Sequence, residues 1–63
     1  MPNEYWARKA IKQIKEAYPD REVKGEIFDM GNRAGVLVGD VLVKLRPDDD
    51  PLAKAQEALN AHP

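Results

Sequence analysis

The stretch Arg33-Ala34-Gly35-Val36-Leu37-Val38-Gly39-Asp40-Val41-Leu42-Val43-Lys44-Leu45-Arg46 decides the fold. Valine and leucine dominate it, which suits an extended, half-buried chain. Under a period of two, Val36 and Val38 share one face, but the next apolar set, Val41, Val43 and Leu45, is displaced by one residue. One extra residue at Gly39-Asp40 restores the phase, and a β-bulge supplies it. The expectation is a long strand over 34–46 with a bulge near 39–40.

Upstream, residues 21–30 read as the partner strand. Met30-Gly31-Asn32-Arg33 suits a tight hairpin, since glycine at the first central position is the type II′ signal. With Gly31-Asn32 as the loop, Ile27 stands opposite Val36 and Gly25 opposite Val38. Val23, Ile27, Val36, Val38, Val41, Val43 and Leu45 then form one apolar face. Glu22, Lys24, Glu26, Phe28, Met30, Arg33, Leu37, Leu42, Lys44 and Arg46 fall on the reverse.

Further outward, residues 3–18 read as a helix, with Asn3 as N-cap, Glu4 at the positive end of the dipole and Pro19 as the stop. At 100° per residue, Trp6, Ala7, Ala10, Ile11, Ile14, Ala17 and Tyr18 occupy an arc of about 140°. Tyr5, Arg8, Lys9, Lys12, Lys15 and Glu16 point the other way. Pro47 ends the second strand. Asp50 can cap a helix over 50–61 with Pro51 at its first position, and Asp48 and Asp49 suit its positive end.

A two-stranded ribbon does not stand alone in water. Both helices should therefore cover its apolar face, over a core of Trp6, Ile11, Ile14, Ile27, Val36, Val41, Val43, Leu52 and Leu59. The expected fold class is α+β: a single-layer β-hairpin with two helices packed on one face, order α-β-β-α, in one domain over 1–63.

Composition excludes much chemistry. Serine, threonine and cysteine are absent, which removes the usual acyl-transfer nucleophiles and any thiolate metal ligand. The single histidine, His62, is penultimate. The run Asp48-Asp49-Asp50 offers carboxylates of the kind that hold calcium or magnesium, but the central glycine and distant glutamate of an EF-hand loop are missing. A helix-start acidic turn accounts for it. Glycines 31, 35 and 39 are followed by a strand rather than a helix, so they do not form a phosphate-cradling loop. No enzyme, cofactor or metal is expected.

A net charge of -1 gives no general attraction to nucleic acid or anionic membranes. Charge is nonetheless polarised: residues 3–18 carry four basic against two acidic side chains, and residues 47–63 one lysine against four acids. No apolar run approaches the roughly 18 residues of a membrane span, and the first residues lack the order of a signal peptide. The chain is expected to be soluble, and cytoplasmic if natural.

The reverse face of the hairpin is the strongest functional signal. Phe28, Met30, Leu37 and Leu42 have nothing left in the chain to cover them, and Lys24, Arg33 and Lys44 rim them. Apolar groups ringed by charge mark a binding patch. The second strand outruns the first, so residues 42–46 should present an unpaired edge able to accept another strand. Three readings follow: a module that binds a protein partner through this face and edge; a small natural regulator of bacterial or phage type that self-associates through it and meets an acidic target, protein or nucleic acid, with the basic helix face; or a designed fold with no function.

The helix stops at Pro19 and Pro47, the helix Asp48-Asp49-Asp50-Pro51-Leu52-Ala53-Lys54-Ala55-Gln56-Glu57-Ala58-Leu59 and the lack of cysteine, serine and threonine together resemble computationally designed α/β miniproteins of the binder type. That likeness implies a protein-binding role. The segment from Arg33 to Leu42 also resembles the alanine-glycine to glycine-aspartate segment of PDZ domains, although the glycine-rich carboxylate-binding loop of that family has no counterpart.

Overall fold

A computed structural model describes residues 4–61. Asn3 and His62 lie outside the described residues. Helix α1 (Tyr5–Ala17) leads into strand β1 (Val23–Phe28), a single 3-10 turn (Asp29–Gly31), strands β2 (Arg33–Val38) and β3 (Val41–Leu45), and helix α2 (Pro51–Ala61). The sheet order is β1-β2-β3 with both pairs antiparallel, so the fold is α+β with element order α-β-β-β-α.

The expected long second strand is thus two strands, and the hairpin is a three-stranded meander. Gly39-Asp40 is not a bulge but a two-residue turn, closed by Val38 opposite Val41. Gly39 has φ of 64° while Asp40 is not among the positive-φ residues, the pattern of a type II′ turn with glycine at its first central position. A bulge and a two-residue turn shift side-chain phase by the same single residue. Val36, Val38, Val41, Val43 and Leu45 therefore share a face in either topology.

The type II′ turn expected at Gly31-Asn32 is absent there. Phe28 pairs with Arg33, which leaves a four-residue loop, Asp29–Asn32. Asp29 and Met30 both take left-handed backbone at φ of 56°, and the Asn32 N–H donates to the Asp29 carbonyl at 3.1 Å. The wider loop moves the register by two residues: Gly25 faces Val36 and Ile27 faces Ala34. A long-range contact goes with it: Gly31 is buried and its carbonyl accepts a hydrogen bond from Trp6 Nε1 at 2.6 Å.

Both helices pack on one face of the sheet, α1 mainly over β1 and α2 over β3, and they also touch each other. The core between them is aliphatic: Ala7, Ala10 and Ile14 of α1, Ala55 of α2, and Val23, Ala34, Val36, Val38, Val43 and Leu45 of the sheet. Trp6, Ile11, Ile27 and Leu59 are partly buried against it. Leu52, expected in the core, is exposed, because it sits in the first turn of α2 while Ala55, one turn on, takes the enclosed position. Gly25 allows the close approach of α1. A Cβ there would stand 2.6 Å from Ile11 Cγ1 and 2.9 Å from its Cγ2.

The helix ends follow the sequence in part. Glu4 holds the N-cap position of α1, without a side-chain cap bond, and the expected cap Asn3 lies outside the described residues. At α2 the Asp50 Oδ1 accepts from the Leu52 N–H at 3.2 Å, with Pro51 as first helical residue. The Asp49 N–H donates to the Arg46 carbonyl at 3.0 Å and the Arg46 N–H donates to Asp49 Oδ2 at 2.9 Å, which closes the turn around Pro47.

Candidate functional site: the open face of the sheet

A sheet covered on one side leaves the other to solvent, and here that side mixes charged with large apolar side chains. Register sorts its side chains into cross-strand rows. Lys24, Leu37 and Leu42 form one row, Glu26, Gly35 and Lys44 the next, and Phe28 and Arg33 the third. Phe28, Leu37 and Leu42 are 43%, 39% and 52% exposed. The buried set contains no aromatic residue, and its largest fully enclosed side chains are Ile14, Val36 and Val38. The only aromatic side chain of the sheet, Phe28, and two of its three leucines therefore face outward.

Gly35 shapes this patch. A Cβ at this position would lie 3.5 Å from Phe28 Cε1 and 3.6 Å from Leu42 Cδ1, so the ring and the leucine lean over the bare backbone from either side. Phe28, Leu37 and Leu42 ring a shallow depression over Gly35 that Lys24, Glu26 and Lys44 complete. Of the residues expected at the site, the structure thus brings together Phe28, Leu37, Leu42, Lys24 and Lys44. Arg33 stands opposite Phe28 at one end. Met30 sits in the four-residue loop, 79% exposed, and does not line the depression. Gly35 and Glu26 were not among the expected site residues. Their signal lay in the register, which places them in one row with Lys44.

Charge on the face is arranged locally. Lys24 Nζ lies 3.2 Å from Glu22 Oε1, and Arg33 Nε lies 3.3 Å from Asp29 Oδ2. Glu26 and Lys44 form no ion pair among the described residues.

The free edge is shorter than expected. Residues 41–45 are paired to β2 along one side, so only the outer side of β3 is open. In a hairpin closed by a two-residue turn the closing pair exchanges hydrogen bonds, and alternate residues point their backbone groups outward. Val38 and Val41 are that pair, which leaves Leu42 and Lys44 facing out. The Arg46 N–H is already taken by Asp49. An edge this short, carrying a lysine, is a poor template for another strand.

The basic surface of α1 lies on the far side of the molecule. Tyr5, Arg8, Lys9 and Lys12 are exposed along it, and Arg8 Nη2 pairs with Glu4 Oε2 at 3.1 Å. The acidic run before α2 is absorbed by structure, with Asp49 closing a turn and Asp50 capping a helix. No group of three or more potential metal-ligating side chains occurs among the described residues. No helix among them is long and apolar enough to cross a membrane.

Fold and site together define an open-faced α+β domain with an apolar patch on its bare sheet surface. Compared with known proteins, the chain matches no family model, and neither its sequence nor its fold finds a significant match among curated proteins or solved structures.

Proposed function

We propose that this chain is a small protein-binding module whose docking surface is the open face of the sheet. The observation that carries the reading is the placement of Phe28, Leu37 and Leu42 around Gly35, half exposed, while no aromatic side chain is fully enclosed in the core. Covering the exposed half of each group is worth about half of the roughly 1.5–3 kcal/mol of a full burial, which a partner recovers. Phe28, Leu37 and Leu42 act as anchors, and Lys24, Arg33 and Lys44 set the polar rim. Met30, on its own loop, reaches a partner only if that partner extends past the end of the sheet. The resemblance to designed miniprotein binders belongs to the same reading, since such chains present an apolar patch on a compact scaffold.

A displayed random-peptide library tests it, panned against sparsely immobilised chain. Recovered peptides are then titrated against the parent, Phe28→Asp and Leu37→Asp. Peptides that lose about tenfold or more in affinity on both variants support the open face as the binding surface. Peptides that bind all three equally, or a library that yields none, remove it. Circular dichroism of the variants controls for folding.

A further inference from the structure

We infer that the occupant of the open face is a second copy of this chain, stacked sheet to sheet about a two-fold axis parallel to the strands; this rests on the reading of that face as the binding surface. The carrying observation is the middle row. Glu26 on β1, Gly35 on β2 and Lys44 on β3 share one register position across the sheet. Their opposite charges thus sit at the two ends of a row whose centre has no side chain.

A two-fold axis along the strands, passing over β2, reverses the strand order and leaves every row facing itself. Glu26 of each copy then faces Lys44 of the other, giving two symmetric ion pairs on either side of the Gly35 backbones, with Phe28 and Leu42 of both copies leaning over the gap between them. Leu37 meets its own copy, and Leu42 meets the aliphatic stem of Lys24. An axis across the strands does the opposite: Glu26 faces Glu26 and Lys44 faces Lys44, which is repulsive. The charge pattern therefore selects one stacking direction. Packed sheets rotate by about 30° through their twist, a change the long Glu26 and Lys44 side chains can follow.

The rest of the face does not oppose this. Lys24 is neutralised by Glu22 and Arg33 by Asp29. The approach of Arg33 to its own copy thus carries two internal ion pairs rather than two bare cations. Three strands at about 4.8 Å spacing and six residues at about 3.4 Å make a small footprint, which implies a reversible dimer rather than an obligate one.

The test is sedimentation equilibrium from micromolar to millimolar concentration on the parent, Glu26→Lys and Lys44→Glu. The parent is expected to dimerise. Each single variant, with like charges facing across both symmetric contacts, is expected to weaken the dimer by about tenfold or more. Mixing the two variants restores complementarity at both contacts, so a heterodimer of near-parental affinity is expected. A parent that stays monomeric at millimolar concentration overturns the proposal. So does a dimer indifferent to both variants, which would place the seam elsewhere, for example along the β3 edge. Neither result touches peptide capture by the open face at low density, so failure of the second-copy assignment is distinguishable from failure of the binding reading.

Discussion

The indole N–H of Trp6 donates to the carbonyl oxygen of Gly31 at 2.6 Å, across 25 residues of chain. This bond ties the first turn of α1 to the loop between β1 and β2, at a carbonyl whose residue is buried. A buried acceptor left unpaired costs about 1–3 kcal/mol. Trp6→Phe keeps an aromatic ring but removes the donor, and is expected to lower the unfolding free energy by about that amount. For a domain of this size each kcal/mol lowers the thermal midpoint by roughly 4–8 °C. Calorimetry on the two chains measures it, and an unchanged midpoint would show that the bond contributes nothing to stability.

The seat of α1 on β1 depends on Gly25. Replacing Gly25 with alanine removes unfolded-state freedom, which alone stabilises by about 0.4–1 kcal/mol. The added methyl would meet Ile11 well inside contact distance, at 2.6 Å from Cγ1, and overpacking of this kind costs about 1–3 kcal/mol. Overpacking wins, so Gly25→Ala should destabilise. Ile11→Ala in the same chain opens the space, and the double variant should be more stable than the two single effects predict when added. A denaturant-based double-mutant cycle reads this coupling, and strict additivity would show that the two residues do not press on each other.

Much of the fold was legible along the chain. The stops at Pro19 and Pro47, the Asp50 cap and the split of apolar residues between two sheet faces all rest on local periodicity and capping chemistry. The topology around Gly39-Asp40 was not. The phase slip there has two solutions, a bulge or a turn, and side-chain pattern is blind to the difference because both move the phase by one residue. The loop at Asp29–Asn32 was illegible for another reason. Its length goes with the Trp6 bond, a contact between distant residues that no local pattern announces. The site inherited both facts: Phe28, Leu37 and Leu42 fell on the correct face, while the row joining Glu26, Gly35 and Lys44 needed the register.

The positive φ at Gly39 is testable by chirality. Gly39 has φ of 64° and nothing within 4 Å of the place a Cβ would occupy. L-Alanine there is strained by about 1–3 kcal/mol. D-Alanine takes positive φ without strain and restricts only the unfolded chain, so it should stabilise by about 0.4–1 kcal/mol. The chain is short enough for total synthesis, and the three proteins can be compared by urea denaturation. Equal loss with both enantiomers would be inconsistent with a type II′ turn at this position.

Adjacent residues of β2 give the sharpest test of which face is core. Val36 is fully buried and Leu37 is 39% exposed, one residue apart on the same strand. Threonine is a good strand former at either position. Val36→Thr is nearly isosteric but buries a hydroxyl, and an unpaired one costs about 1–3 kcal/mol. Leu37→Thr replaces a half-exposed apolar group with one that water solvates, and on the monomer it should change stability by no more than about 0.5 kcal/mol. Urea unfolding at micromolar concentration, below self-association, compares the two. A reversed order, with Leu37→Thr the costlier change, would mean that the open face is packed against something in the monomer, and that Phe28 and Leu42 are not available to a partner.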